Sequence, residues 1–104
     1  MARKSGKKLA PVHPGEILRK EFIEPMRLTQ TGLARALHVP ARRINEIVWG
    51  QRGITPVTAL RLGRYFKMSP RFWLGLQMDY ELDLARDDSA KRIEREVKPM
   101  AVES

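Results

Sequence analysis

The chain contains no cysteine among its 104 residues, and this absence excludes several classes of protein. Without thiols there is no disulfide framework, no thiolate nucleophile and no thiolate metal site. No apolar run approaches the length that spans a membrane, and no apolar stretch of the secretory type follows the charged start MARKSGKKLA. We therefore expect a cytoplasmic protein with no membrane partner.

Patterns that support catalysis are also missing. The sequence has no Gly-rich phosphate loop, no paired-carboxylate site and no nucleophile–base pair. Its two histidines, His13 and His38, have no cysteine to complete a metal site, and the adjacent Asp87 and Asp88 are interpreted as a solvated cap. We expect no enzymatic activity, no cofactor, no metal and no small-molecule substrate.

Positive charge is what the chain has in excess, with 20 lysines and arginines against 12 acidic residues and a formal net charge of +8. Residues 1–54 hold 11 basic and 4 acidic residues, whereas residues 55–104 hold 9 and 8. A polyanion such as nucleic acid would therefore meet the N-terminal half. Many soluble proteins are basic, so charge alone does not decide the function.

Hydrophobic spacing predicts an all-α protein of five helices, because there is no hairpin dipeptide and no sustained alternation. We expect one domain over residues 13–86, a basic flexible arm over residues 1–12 and a tail over residues 87–104. The arm is interpreted as a solvated tail rather than a segment that reaches into a minor groove. In the tail, Ala90, Ile93 and Val97 share one side of a short terminal helix.

The helix boundaries follow from local signals. The first helix is expected from Pro14 to Glu24 and is stopped by Pro25. The fifth is expected to end at the break Asp87-Asp88-Ser89. Other helices begin with a capping hydroxyl, in two cases followed by proline, at Thr29, Thr55-Pro56 and Ser69-Pro70.

Residues 29–50 have the spacing of a helix-turn-helix, in which the break His38-Val39-Pro40 separates two helices and Gly50 closes the second. Each helix has an apolar inner face, formed by Leu33, Ala34 and Leu37 in the first and by Ile44, Ile47 and Val48 in the second. The outer face of the second helix is polar where a recognition helix meets base edges. This arrangement predicts a DNA-binding protein.

Several blocks of the chain match those of a known family. Three blocks are widely shared among helix-turn-helix repressors: HPGEIL at residues 13–18, LARAL at 33–37 and RINEIV at 43–48. Three more blocks follow: GQRGIT at 50–55, TALRL at 58–62 and SPRFWLGLQ at 69–77. The more specific part is the stretch from Ile54-Thr55 to Leu62 followed by SPRFWLGLQ. On these blocks the chain, over roughly residues 13–84, resembles the Xre/Cro-type helix-turn-helix family and, within it, the HigA-like (VapI-like) antitoxins.

The resemblance implies a five-helix, lambda-repressor-like domain with a C-terminal helical extension. It also implies a homodimeric antitoxin that binds a palindromic operator of double-stranded DNA in its own promoter and represses that promoter. The implied protein partner is a cognate HigB-like toxin, an mRNA-cleaving ribosome-dependent RNase. One position departs from the family, since His38 stands where glycine is usual and a positive φ is expected.

Three residues at the start of the recognition helix are the candidate base contacts. Arg42 is the first choice, because a guanidinium pairs bidentately with guanine. Asn45 suits adenine or a backbone contact, and Ala41 suits a thymine methyl group.

Four residues are the candidate phosphate contacts. Gln30 matches the family position that bonds a phosphate, at a helix N-terminus that favours anions. Gln51 and Arg52, after the recognition helix, are placed to hold the next phosphate. Arg43 is assigned to phosphate or, with equal weight, to an ion pair with Glu46, which we expect to orient Arg42 or Arg43.

The remaining notable side chains have structural interpretations. Trp73 is expected in the core or in a dimer seam, Trp49 is expected to be partly buried against the loop after it, and His13 is expected to cap the first helix. Since one helix-turn-helix reads about half of a typical site, we expect a dimer. Its seam is placed on the fifth helix and the tail.

Two other functions stay open on the sequence. A stand-alone Xre-family repressor without a toxin would have the same DNA chemistry, and only a neighbouring toxin gene separates the two. The second alternative is a protein-interaction or RNA-binding adaptor that has kept the fold and lost operator binding. The polar residues Arg42 and Asn45 argue against it.

Overall fold

The computed structural model describes residues 10–101, which form five helical segments and no β-strand. The first segment, α1 (Pro14–Ile17), continues directly into a π-helical stretch (Leu18–Ile23). The others are α2 (Gln30–Leu37), α3 (Ala41–Val48), α4 (Pro56–Phe66) and α5 (Pro70–Glu96). The all-α prediction is confirmed for this part of the chain. Residues 1–9 of the predicted basic arm lie outside it.

The predicted helix starts are confirmed by their capping bonds. Nδ1 of His13 accepts a hydrogen bond from the backbone N–H of Gly15 at 2.9 Å. The hydroxyls of Thr29, Thr55 and Ser69 likewise accept from backbone N–H groups in the first turns of α2, α4 and α5. These caps satisfy donors that a helix start leaves without an intrahelical partner.

The first helix differs from the prediction in its winding. It ends before Pro25 as expected, but over Leu18–Ile23 the hydrogen bonds reach back five residues instead of four. The N–H of Glu24 donates to the carbonyl of Arg19 at 2.9 Å, and Leu28 repeats the spacing by donating to Ile23 at 2.9 Å. A wider turn of this kind is rare in proteins and has no simple signal in hydrophobic spacing.

The core lies where the inner faces of the first four helices meet the start of α5. Trp73 is fully buried, which confirms its expected place in the core. The ring of Phe22 lies between two aromatic partners, with centroid distances of 4.8 Å to Trp73 and 4.9 Å to Phe66. The predicted inner faces of α2 and α3 are buried as expected. The core therefore fixes α3 against the rest of the domain.

The predicted break at Asp87-Asp88-Ser89 is wrong, because α5 continues through it to Glu96. There is no glycine or proline between Gly75 and Pro99, and single aspartates and serines lower helix stability by only a fraction of a kcal/mol, about 0.7 at most. Local pairs support the helix on both sides: Arg86 with Asp83 at 3.5 Å, and the Arg92 guanidinium donating to the Ser89 hydroxyl at 3.1 Å. The expected terminal helix is the end of α5.

Beyond the core, α5 extends along the surface. Leu76 and Tyr80 of its predicted apolar stripe are half-buried, whereas Phe72 and Leu84 are exposed. This extension lengthens the molecule, whose principal extents are 55 × 30 × 24 Å. Among the described residues, no helix is both long enough and apolar enough to cross a membrane.

Candidate nucleic-acid interface

The turn between α2 and α3 has the left-handed residue that the sequence implied. His38 has φ 60° and ψ 44° and ends α2, which confirms the positive φ expected at this position. The N–H of Val39 then reaches back to the carbonyl of Ala34 at 3.0 Å. Arg61 on α4 donates to the carbonyl of Leu37 at 3.0 Å. The turn is thus held by backbone and side-chain bonds, and α3 leaves it at a fixed angle.

Helix α3 has one buried side and one solvent side. Its three apolar residues, Ile44, Ile47 and Val48, are buried. Arg42 lies on the other side with 86% of its side chain exposed, and Asn45 and Glu46 follow one turn later. Ala41, at the first position, is half-buried and packs against the core. Of the predicted base-contacting residues, Arg42 and Asn45 therefore share the outer face, whereas Ala41 is partly covered by the core.

Glu46 organises two arginines on this face. Its two oxygens accept from Nε of Arg42 at 2.9 Å and from Nε of Arg52 at 2.8 Å. Hydrogen bonds from Arg52 and Arg42 hold the pKa of the Glu46 carboxyl below its usual value. Both pairs use Nε, which leaves the terminal nitrogens of each guanidinium for other acceptors. The expected orientation of Arg42 by Glu46 is found, and Arg52 is an unforeseen second partner.

Arg43 lies apart from this network. The alternative pair with Glu46 does not form; the two carboxylate oxygens of Glu46 accept from Arg42 and Arg52 instead. Within residues 10–101, no ion pair holds the half-buried Arg43. Since no carboxylate of the described residues pairs with it, its guanidinium is available to an external anion.

Asn45 and Gln30 are brought together across the motif. The side-chain amide of Asn45 donates to the side-chain oxygen of Gln30, the first residue of α2. Thr29 caps the same helix start by accepting from the N–H of Gly32 at 2.9 Å. A predicted base contact and a predicted phosphate contact thus form one unit, beside a helix N-terminus whose dipole favours an anion.

The end of α3 is fixed by its closing turn. Gly50 has φ 77°, which confirms the expected left-handed residue. The N–H of Gly50 donates to the carbonyl of Ile47 at 3.0 Å, and that of Gln51 donates to Glu46 at 2.8 Å. This pair of bonds is the Schellman arrangement. The closing turn keeps the exposed residues Gln51 and Arg52 beside the last turn of α3.

The expected partial burial of Trp49 is wrong, since this residue is 69% exposed. The local sequence places it at the end of α3, but whether a neighbouring loop covers it depends on the path after Gly50. At 100° per residue, Trp49 follows Arg42 by seven residues and lies on the same side of α3. That spacing was the signal that could have placed it on the outer face.

The described residues contain no group of three or more histidines, aspartates or glutamates arranged to hold a metal ion. What the site assembles is instead a polar and cationic surface: Arg42, Asn45, Arg43 and Gln30, with Gln51 and Arg52 at one end. Such a surface offers forked donors for base edges and separate donors for phosphates.

No family model matches the sequence. Among curated proteins, the chain is 53% identical over 89 residues to virulence-associated protein I of Dichelobacter nodosus, which covers 85% of this chain and 82% of that protein. It is 36% identical over 98 residues to antitoxin HigA-1 of Vibrio cholerae, with 91% and 89% of the two chains covered.

A solved structure extends the similarity to three dimensions. The fold is similar to that of the Pseudomonas aeruginosa antitoxin HigA determined with the higBA promoter, with a TM-score of 0.83 and 48% sequence identity. The match covers 88% of this chain and 99% of that chain. It therefore extends well beyond the helix-turn-helix.

Proposed function

Because the chain belongs to the HigA-like antitoxins of the Xre-type helix-turn-helix family, we propose that it binds an operator in its own promoter and represses that promoter as the antitoxin of a toxin–antitoxin pair. The observation that carries the proposal is the outer face of α3. Arg42 and Asn45 lie on it beside the N-terminus of α2, above a buried side that fixes the helix.

We assign base recognition to the first turns of α3, inserted in the major groove. Arg42 pairs with guanine O6 and N7 through the terminal nitrogens that Glu46 leaves unused. Asn45 pairs with adenine while Gln30 holds its amide in place. Ala41 is the contact for a thymine methyl group, through the part of its side chain that the core does not cover.

Phosphate contacts set the register on the duplex without choosing the sequence. We assign them to Gln30 at the start of α2, to Arg43, and to Gln51 and Arg52 beyond α3. If a dimer makes about 6–10 such contacts, its affinity falls by about 10³–10⁵ when salt rises from about 50 to about 200 mM. This steep salt dependence is expected on any DNA sequence.

A palindromic operator requires two copies related by a two-fold axis, and we place their contact on α5. Met78, Leu82 and Ile93 are exposed on one side of this helix, opposite the side on which Trp73 enters the core. Exposed apolar side chains spaced along a helix face are the usual material of a homodimer seam.

Light scattering tests this seam with a matched pair of variants. Leu82→Glu places a charge in the proposed seam and is expected to give monomers. Leu60→Glu makes the same change at an exposed leucine of α4 and is expected to stay dimeric. Dimers in Leu82→Glu, or monomers in Leu60→Glu alone, would move the seam away from α5.

The proposed protein partner is a HigB-like mRNA-cleaving toxin that this chain neutralises. The support is membership of the antitoxin family, and growth rescue is the test. The small reading frame beside the gene is expressed alone and then together with this protein.

Toxicity that co-expression relieves is the expected result. An adjacent frame that is harmless, or toxic without relief, would leave a stand-alone repressor with the same DNA chemistry. The Arg42→Ala variant is a useful companion in this assay, because neutralisation in trans from a foreign promoter does not require operator binding.

A further inference from the structure

Trp49 is the one described tryptophan that the fold leaves in solvent. It is 69% exposed, whereas Trp73 is fully buried. Within residues 10–101 its ring makes no aromatic contact, in contrast to the cluster around Trp73. Tryptophan is enriched at interfaces, where its ring gives a large apolar contact and its N–H finds a hydrogen-bond partner. The core packing described above gives Trp49 no role.

The position of Trp49 is fixed rather than accidental. The backbone N–H of Trp49 donates to the carbonyl of Asn45 at 3.0 Å, which keeps the backbone of Trp49 in the helical path of α3. The closing turn at Gly50 then holds the backbone on its other side. The indole therefore stands on the outer side of α3, seven residues and about two turns after Arg42.

The surroundings of Trp49 favour an anionic partner. Glu46, the one acidic residue of α3, is paired with both Arg42 and Arg52, so two positive charges stand beside its single negative charge. Gln51 and Arg52 follow Trp49 in the chain and are exposed. A ring with apolar faces and one N–H donor, set among cations and amides, is complementary to a polymer of sugar rings and phosphates.

The distance along α3 decides which part of a duplex Trp49 meets. Seven residues at about 1.5 Å each place Trp49 about 10 Å along the helix axis from Arg42. The major groove is about 12 Å wide, and recognition helices contact base edges with their N-terminal residues. With Arg42 at the bases, the far end of α3 lies at the wall of the groove, where the sugar–phosphate backbone runs.

We propose that Trp49 is a DNA-backbone contact, with its ring against a deoxyribose and its Nε1–H donating to a phosphate oxygen. The inference rests on the proposed DNA-binding function and deepens it. Such a contact adds affinity on any sequence and does not choose the operator. It also explains why an exposed indole follows the polar residues of the recognition helix.

Tryptophan fluorescence of the full chain tests the contact directly. The exposed Trp49 is open to acrylamide, and the buried Trp73 serves as an internal reference. The Trp49→Phe variant isolates the Trp73 signal, so subtraction gives Trp49 alone. The probes are a duplex from the region directly upstream of the gene and a duplex of the same composition in scrambled order. Saturation with either is expected to protect Trp49 from acrylamide several-fold.

Affinities of two variants complete the test. Trp49→Ala is expected to lower the affinity for both duplexes by a similar factor of about ten. Trp49→Phe is expected to lower it by less, because phenylalanine keeps the apolar contact. Since the side chain is exposed, both variants are expected to unfold at the temperature of the native chain. A loss confined to the upstream duplex would overturn the backbone contact in favour of base reading.

The outcomes separate this inference from the function on which it rests. If gel mobility shows a bound duplex while Trp49 stays fully open to acrylamide, the contact is overturned and DNA binding stands. If neither duplex shifts at any concentration at low salt, the DNA-binding function fails and the contact fails with it.

Discussion

The side-chain amide of Asn45 donates to the side-chain oxygen of Gln30, and this bond joins the recognition helix to the start of the helix before it. One residue is assigned to a base and the other to a phosphate. A base contact whose amide is already oriented loses less freedom on binding DNA than a free asparagine. The bond also fixes the position of Gln30, the residue assigned to a DNA phosphate, relative to Asn45, the residue assigned to a base.

This relationship predicts coupled effects of substitution. Gln30→Ala and Asn45→Ala are expected to be non-additive in operator binding, with a coupling energy of about 0.5–3 kcal/mol. Fluorescence anisotropy on the single and double variants measures the coupling. Gln51→Ala with Asn45→Ala is the control pair and is expected to be additive. Additive losses for Gln30 and Asn45 would mean that the bond does not persist on DNA.

Glu46 is expected to restrain non-specific binding. Hydrogen bonds from Arg52 and Arg42 lower its pKa, so it stays ionised across the neutral range and keeps its repulsion of phosphate. Glu46→Gln is expected to bind scrambled DNA more tightly and to steepen the salt dependence by about 0.9 in log–log slope per protomer. The ratio of operator to scrambled affinity is expected to fall, since Arg42 loses its fixed orientation.

The control for this change is Glu96→Gln, which alters the net charge equally at the far end of α5. It is expected to leave discrimination between the two duplexes unchanged. Equal effects of the two variants would reduce the role of Glu46 to overall charge.

Gly15 is predicted to be indispensable for packing α1 against α3. A Cβ added there would lie 1.7 Å from the carbonyl oxygen of Ile47, a backbone atom that cannot move aside cheaply. Gly15→Ala is expected to destabilise the fold by about 1–3 kcal/mol or more. Gly75→Ala is the control in α5, where a Cβ meets nothing within 4 Å, and is expected to stabilise by about 0.5–1 kcal/mol. Urea denaturation measures both; an unchanged Gly15→Ala midpoint would contradict the close approach.

His13 is expected to make stability depend on pH. Burial lowers its pKa below the usual 6.5, and Nδ1 can accept from Gly15 only while it is unprotonated. Because the folded-state pKa is depressed, the unfolded chain takes up more protons as the pH falls. The stability that neutral His13 contributes to the fold is fully present above the pKa of His13 in the unfolded chain. It is lost as the pH falls from about 6.5 through the lower pKa of His13 in the folded chain.

Urea midpoints between about pH 8 and about pH 5 test the role of this histidine. His13→Asn keeps an oxygen acceptor for the cap and does not titrate, so its stability is expected to fall less steeply over this range. The two proteins differ at this residue alone, so the difference between their profiles reports on His13. Parallel pH profiles of the two urea midpoints would show that His13 does not make the stability depend on pH.

The fold was predictable from the sequence wherever a local signal determines a helix start. Thr29 and Ser69 accept hydrogen bonds within their own first turns, so their role follows from neighbours in the chain. The buried triplet Ile44, Ile47 and Val48 follows in the same way from helical periodicity. Together these signals place α3 and determine which of its sides faces the core.

The continuity of α5 through residues 87–89 differs from the sequence prediction because Asp and Ser are only weak signals of a helix end. Asp87, Asp88 and Ser89 are common at helix ends, but their cost inside a helix is small. A glycine or proline would have been a firmer sign of a break, and neither occurs there. The π-helical winding of Leu18–Ile23 had no signal in the hydrophobic spacing.

Two features of the site depend on how distant segments meet. Arg52 reaches Glu46 only because the chain turns back after Gly50, and Trp49 is exposed because no segment within residues 10–101 covers it. Residue spacing places Trp49 on the outer side of α3, but it gives neither the pairing of Arg52 with Glu46 nor the degree of exposure of the indole. The sequence therefore indicates which residues of the motif are candidates for the site, but it does not indicate how those residues pair.

The proposed reading of an operator by the start of α3 is tested by fluorescence anisotropy with the upstream and scrambled duplexes. The native chain is expected to prefer the upstream duplex, and Arg42→Ala to lose about 1–3 kcal/mol on it and much less on scrambled DNA. Arg43→Ala, the phosphate control, is expected to weaken both equally. A native chain without preference, or an Arg42→Ala loss of equal size on both duplexes, would contradict the account.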